Sequence, residues 1–221
     1  MNKSIYVVIP VFNEEHVIGE VLREIKKQGI KHIIVVDDGS TDRTAQEAAA
    51  HATVLRHMLN RGKGAAAKTA IEAAKLLGAD IIVTMDGDGQ HNPADIHTML
   101  KTIDDGYDVV LGVRAADTSM PASRRFANLL GNIATWILYG LWVNDSQCGF
   151  RAYTRKALMK METLNDRYEY DSEIIRELAV HHLRFAEVPV ETRYTAYSMN
   201  KRHKQSVVNG LRTLLRMIVS A

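Results

Sequence analysis

Two short acidic turns hold the side chains of this chain best suited to chemistry. Asp86-Gly87-Asp88-Gly89-Gln90 follows the apolar run Ile81-Ile82-Val83-Thr84-Met85, and Val36-Asp37-Asp38-Gly39-Ser40 closes an earlier run. Carboxylate oxygens on short, Gly-flanked turns suit a hard divalent cation, Mg2+ or Mn2+, which keeps part of its coordination shell for a diphosphate. A hairpin is the competing reading of the Asp-Gly pairs. Two such dipeptides in a row before Pro93 and a helix are poor hairpin chemistry. For Asp37 and Asp38 a second role stands beside ligand binding, because Ser40 or Thr41 opens the next helix and an acidic turn there also caps it.

A basic segment complements these turns. Asn60-Arg61-Gly62-Lys63-Gly64 precedes an alanine-rich helix, where backbone amides and Lys63 could hold an anion. The spacing lacks that of a Walker phosphate loop, which excludes a P-loop nucleotidase. Close backbone approach by Gly62 and Gly64 is the alternative use of the same residues.

The elements that must carry these turns are legible as alternating patterns. Apolar β-branched runs at Ile5 to Ile9, Ile33 to Val36, Ile81 to Val83 and Val109 to Leu111 read as strands, with a short strand at Thr53 to Leu55. Phe185 to Val190 reads as a late strand closing at Pro189. Helical patterns occupy Glu14 to Lys27, Thr41 to His51 and Gly64 to Leu77. Strands alternating with helices predict an α/β fold with a mostly parallel twisted sheet and helices on both faces. Ligands of such sheets bind beyond the carboxyl ends of the strands, where both acidic turns and Pro10-Val11-Phe12-Asn13-Glu14 fall.

Composition narrows the class further. With 221 residues, net charge +2 and 46% hydrophobic content, the chain has the makings of one globular core, and nothing in it marks a linker. The expected division is a catalytic domain over 1–192 and a basic loop with an amphipathic helix over 193–221. Little net charge and a short cationic cluster argue against nucleic-acid binding. A single cysteine, Cys148, excludes an internal disulfide and reads as a packed thiol. The N-terminus enters strand-like sequence directly, so a cytosolic location is expected. The uncharged stretch from Phe126 to Val143 is interrupted by Asn128, Gly131, Asn132, Thr135 and Gly140, and reads as a surface or half-buried helix instead of a bilayer span. Its tryptophans, Trp136 and Trp142, fit either core packing or a wet apolar boundary.

Together these segments resemble the family 2 glycosyltransferases of GT-A, Rossmann-like fold, and more closely the dolichyl-phosphate mannose and glucose synthase group. The resemblance rests on Ile9 to Glu14, Val36 to Asp42, Asn60 to Gly64, Asp86 to Gln90 and Asp145-Ser146-Gln147-Cys148-Gly149-Phe150-Arg151. It implies donor binding by Pro10, Phe12, Glu14, Asp38, Asp86 and Gly87, and metal binding by Asp88 and Gln90 with Asp86 beside ribose or metal. Phe12 stands where the mannose synthases carry tyrosine, which keeps stacking and loses a hydroxyl contact. Asp145 to Arg151 resembles the loop that closes behind the sugar. Its Gln147 to Phe150 portion is nearer the glucose synthase version and tilts the donor toward UDP-glucose over GDP-mannose.

A lipid monophosphate acceptor already presents an anionic oxygen, so it needs cations where a hydroxyl acceptor needs a base. The resemblance gives this task to Arg114 and Arg125, with Arg124 as the substitute register, and makes Asp88, Arg114 and Arg125 the catalytic set. Tyr170-Asp171-Ser172-Glu173 either orients substrate groups or caps a helix. Arg193, Ser198 and Lys201 are the expected diphosphate contacts of the following segment. The familiar Lys-Gly-Gln-Ser pattern is altered there to Lys201-Arg202-His203-Lys204-Gln205-Ser206, and Lys204 competes for the role. Val207, Val208, Leu211, Leu214, Leu215 and Ile218 then form one apolar helical face, which would dock at an anionic membrane surface or pack on the domain or on a second copy in a homo-oligomer.

The implied activity is metal-dependent, inverting hexose transfer from a nucleotide-diphosphate sugar to a dolichyl or undecaprenyl phosphate at the cytoplasmic face of a membrane. Two rivals stand. A soluble transferase acting on a sugar or protein hydroxyl requires a base among Asp145, Asp171 and Glu173, and a non-catalytic nucleotide-sugar-binding module requires no acceptor site.

Overall fold

The computed structural model describes residues 3–114, 132–133, 135–162, 166 and 169–193. Among them a seven-stranded sheet has the order β3-β2-β1-β4-β6-β5-β7. Its strands are β1 (Ile5–Val11), β2 (His32–Asp37), β3 (Thr53–Arg56), β4 (Ile81–Thr84), β5 (Val109–Arg114), β6 (Arg151–Thr154) and β7 (Phe185–Val190). β6 runs antiparallel to both β4 and β5, and the other neighbouring strands pair in parallel. Helices α1 (Ile18–Lys27), α2 (Thr44–Ala49), α3 (Lys63–Leu76), α4 (Asp95–Asp104), α5 (Arg155–Leu158) and α6 (Glu169–Val180) complete the described elements.

Alternation along the strands builds two cores. Val7, Ile9 and Val11 of β1 join Ile18, Leu22 and Ile25 of α1 and Ile96 and Met99 of α4 on one face. Tyr6 and Val8 turn to the other face, against Ala66, Ala70 and Ala74 of α3 and Ile174, Ile175 and Leu178 of α6. A side-chain period of two puts successive residues on opposite faces, and both faces here carry apolar residues because both are covered. Small alanines let α3 approach the sheet beneath the site closely.

The helix starts differ from the sequence expectation for identifiable reasons. Residues 14–17 form a turn, with the Glu14 carbonyl accepting from the amides of Val17 and Ile18 before α1 begins. Thr41 and Arg43 precede α2 because their amides donate to Asn13 Oδ1 and Glu15 Oε2, joining the first two turns of the molecule. Strand β7 runs one residue past Pro189 to Val190. It lies at the sheet edge, where the missing proline N–H disturbs no ladder.

Residues 135–139 are helical, as expected of that stretch. Core packing of its tryptophans is overturned, since Trp136 and Trp142 are 51% and 48% exposed and meet edge to face at 6.3 Å. No helix among the described residues is long and apolar enough to cross a membrane. Arg124, Arg125, Ser198, Lys201, Lys204 and the helix expected over 207–218 lie outside the described residues.

Candidate active site

The carboxyl ends of β1, β2, β4, β5 and β7 and the start of β6 share one edge of the sheet, as their pairing directions require. Pro10 sits near the end of β1, paired with Val36. The Asp38 amide donates to the Val11 carbonyl, and the Asn13 and Glu14 amides donate to the hydroxyls of Ser40 and Thr44. Phe12 and Glu14 are therefore held against the second turn, Glu14 buried and Phe12 half-buried.

The Asp37-Asp38 turn is largely internal. Asp37 accepts from the Ser40 amide at 2.9 Å and pairs with Arg56 at 3.1 Å. Asp38 accepts from the amides of Arg61 and Gly62 at 3.0 and 2.7 Å and meets His57 Nδ1 at 2.7 Å. Thr69 receives the other ring nitrogen of His57 at 3.0 Å. Asp38 thus shapes the loop from 57 to 62 that leads into α3.

The second turn is more open. Gly87 has its Cα pressed on the core, where a Cβ would lie 2.5 Å from Val11 Cγ1, so this position admits no side chain. The backbone thereby turns Asp86 and Asp88 to the sheet edge, both half-buried. Asp88 accepts from the Gln90 amide at 3.1 Å, and the Gln90 carbonyl accepts from the Arg193 amide at 2.8 Å. Asp86 pairs with Lys63 at 2.8 Å and lies 3.5 Å from His91 Nε2. Burial opposes charge on Asp86, but the Lys63 ammonium and the His91 ring outweigh it and hold the carboxyl well below the usual carboxylate range. Burial likewise opposes charge on Lys63, whose amine is nonetheless raised by Asp171 and Asp86.

A cleft lined by Pro10, Lys63, Asp86, Gly149, Arg151 and Asp171 lies beside this turn. Arg151 is 1% exposed, yet it donates to the carbonyls of Cys148, Ser146 and Asp171 at 2.8, 2.8 and 3.0 Å. A buried guanidinium so bonded fixes the loop from 145 to 151 to the start of α6. Gln147 Nε2 adds a bond to Ser172 Oγ at 3.0 Å. The Cys148 thiol is pushed up to about 12, chiefly by burial, and stays protonated and packed.

Arg114 ends β5. Its Nε and Nη2 donate to the two oxygens of Asp145 at 2.7 and 2.8 Å, and its amide donates to the same carboxylate at 3.2 Å. Asn132 supports this loop by donating to the Asn144 carbonyl and accepting from the amide and hydroxyl of Ser146. The guanidinium of Arg193 pairs with Glu24 of α1 at 2.8 Å.

Sequence reasoning gathered Pro10, Asp86, Asp88, Gln90 and Arg114 at one edge, as the fold does. It passed over His91 and His57. His91 follows the acidic turn directly, and its position one residue past Gln90 was a usable signal. His57 is joined to Asp38 only through the parallel pairing of β2 and β3, which no local pattern reveals.

A half-open acidic turn and an Arg114–Asp145 pair thus share the carboxyl edge of a sheet covered on both faces. The sequence model of glycosyl transferase family 2 matches residues 6–161, and the chain belongs to that family. It is 42% identical to an uncharacterised protein of Methanocaldococcus jannaschii, over 99% of this chain and 93% of that one. It is 33% identical to a protein of Methanococcus voltae named UDP-N-acetylglucosamine--dolichyl-phosphate N-acetylglucosaminyltransferase, over 99% of this chain and 96% of that one. Among solved structures, glucosyl-3-phosphoglycerate synthase from Mycobacterium tuberculosis, in complex with Mn2+, UDP and phosphoglyceric acid, superposes with a TM-score of 0.74. That match covers 99% of this chain and 78% of that one at 20% identity, and it bears on the fold alone.

Proposed function

We propose that this glycosyltransferase moves a hexose or hexosamine from a nucleoside diphosphate, UDP in the first instance, to a polyprenyl phosphate at a membrane surface, with inversion. The observation that carries this reading is the sharing of one sheet edge by the half-open Asp86-Asp88 turn and Arg114. The Methanococcus voltae relative is named for a UDP-sugar donor and a dolichyl-phosphate acceptor, which agrees with it.

Asp88, Asp86 and Gln90 fit a divalent cation in kind. Their side chains offer oxygen donors, and the two carboxylates are accessible at the edge. No group of three His, Cys, Asp or Glu side chains suited to a metal occurs among the described residues, so a bound diphosphate would complete the shell. A bound Mg2+ or Mn2+ would neutralise the charge that develops on the departing diphosphate. Pro10, Phe12, Glu14 and the loop shaped by Asp38 would seat the nucleoside, and the cleft at Lys63, Gly149 and Asp171 would face the sugar.

Arg114, oriented by Asp145, would hold the acceptor phosphate near the anomeric carbon, with Arg125 as its expected partner. A phosphate oxygen is already anionic and needs no base. The carboxylates that could serve as a base for a hydroxyl acceptor are engaged with cations: Asp145 with Arg114 at 2.7 Å, Asp171 with Lys63 at 3.5 Å and Glu173 with Arg176 at 3.5 Å. This favours the lipid phosphate over a glycan or protein hydroxyl.

Incubation with Mn2+, a panel of UDP- and GDP-sugars and a short polyprenyl phosphate tests the proposal, with the glycosyl phospholipid detected by mass. Its appearance with one donor is the expected result. Transfer to free glycans with none to the lipid would replace this reading by the soluble transferase, and donor binding without any turnover would replace it by the binding module.

A further inference from the structure

Lys63 lines the cleft without a chemical role assigned to its ammonium, yet it pairs with two of the site's carboxylates. It opens α3, so its backbone is fixed by a helix, and its Nζ lies 2.8 Å from Asp86 Oδ1 and 3.5 Å from Asp171 Oδ2. Beyond these, His91 approaches the other oxygen of Asp86 at 3.5 Å and Arg151 approaches Asp171 Oδ1 at 3.6 Å. Imidazole, carboxylate, ammonium, carboxylate and guanidinium therefore alternate along one chain of contacts, of which all but the imidazole line the cleft. Gly149 leaves the room for this arrangement, since a Cβ there would lie 2.6 Å from Lys63 Nζ and 3.0 Å from Asp86 Oδ1.

An ammonium so placed has two consequences for a divalent cation at Asp86 and Asp88. It occupies one oxygen of Asp86, and it cancels one of the two negative charges that would attract the ion. A bound diphosphate would more than restore the lost charge. We propose that Lys63 is a positioning residue that acts as the site's resident cation: it keeps Asp86 and Asp171 in place in the free protein and weakens the hold on a free divalent ion, so that tight metal binding depends on the donor diphosphate. This inference rests on the metal assignment made above.

The test is a Mn2+ titration followed by electron paramagnetic resonance, with and without UDP, which requires no turnover. Wild-type protein is expected to bind Mn2+ weakly alone and much more tightly with UDP, and D88A to lose the UDP-dependent site. Lys63→Met should bind Mn2+ without UDP at least about tenfold more tightly than wild type, and gain less from UDP. Lys63→Arg, which keeps the charge, should stay near wild type. A lysine that merely props up the turn predicts the opposite sign, weaker metal binding in Lys63→Met. Lys63→Gln, which keeps hydrogen bonding and loses the charge, gives the same reading if the methionine variant does not fold. Unchanged or weaker binding in the neutral variants, with D88A still disrupting the wild-type site, overturns the role of Lys63 alone. Equal Mn2+ binding by wild type and D88A, with no response to UDP, overturns the metal assignment and this inference with it.

Discussion

Asp37-Asp38 and Asp86-Gly87-Asp88 both close buried parallel strands at the same edge of the sheet, and both pair carboxylates with a neighbouring glycine. The fold treats them differently. The side chains of Asp37 and Asp38 are 0% and 4% exposed, whereas Asp86 retains 29%. Asp38 alone receives two backbone amides and an imidazole, all within the protein. Among the described residues Asp88 receives only the Gln90 amide, and that bond shapes the turn while the side chain stays half-exposed. What separates the two turns is access: Asp86 and Asp88 remain half-exposed at the sheet edge, where a ligand can reach them, and Asp37 and Asp38 do not. Where loop amides close on the carboxylate, the same residue types become architecture.

The comparison breaks if the two turns respond alike to substitution. Asp88→Ala should abolish transfer, on the order of a 10³-fold loss or more in kcat, with little change in Tm. Assay of the purified variant alongside thermal unfolding checks both parts. Full activity with undiminished metal dependence would remove Asp88 from the site.

Asp38→Ala should show the reverse emphasis. Loss of the acceptor leaves loop amides without a partner, which costs about 2–3 kcal/mol and lowers Tm by about 5–10 °C. Donor affinity should fall with it because the loop from 57 to 62 loosens. An unchanged Tm would show that water replaces the carboxylate freely and that the turn is less sealed than its burial implies.

Asp145→Asn sharpens the contrast on the acceptor side. Asparagine keeps the shape but loses the charge that orients Arg114, so kcat/KM for the lipid phosphate should fall roughly tenfold while the donor KM holds. Steady-state kinetics with each substrate varied separates the two. A change confined to the donor KM would move Arg114 and Asp145 away from the acceptor.

The smallest effect is a pH dependence of stability. Asp86 has a depressed carboxyl in the fold, so as pH falls through about 4 the unfolded chain takes up its proton first. The stabilisation from Asp86 is fully present above that pH and is lost as pH falls further toward the folded value. Lys63 is raised, so its contribution is complete below about pH 10 and is lost only above that. The pair should therefore add no slope between about pH 5 and 9, and Asp86→Asn should flatten the acid branch of a urea-unfolding profile. An acid branch of the same steepness in wild type and variant would mean that Asp86 gains no net partner on folding.

Much of this protein is determined by sequence acting over short range. The continuous apolar runs Ile5 to Ile9 and Ile33 to Val36 mark strands buried on both faces, and the helical spacing of Ile18, Val21, Leu22 and Ile25 marks a helix with one buried face. Asp86 to Gln90, read with the strand before it, also located the open turn, because a strand end in a parallel sheet has only one edge to reach. Strand β6 was not legible. Arg151-Ala152-Tyr153-Thr154 is short and opens on a charge, and that charge is buried only because carbonyls of Ser146, Cys148 and Asp171 converge on it. Nor could spacing distinguish a sealed acidic turn from an open one. That difference depends on the amides of Arg61 and Gly62, brought by a strand crossover to Asp38, and on Lys63, brought by the next helix to Asp86. Side-chain types and local period are written in the chain, whereas which carboxylate finds a partner is decided by contacts between distant segments, and only the tertiary structure brings those together.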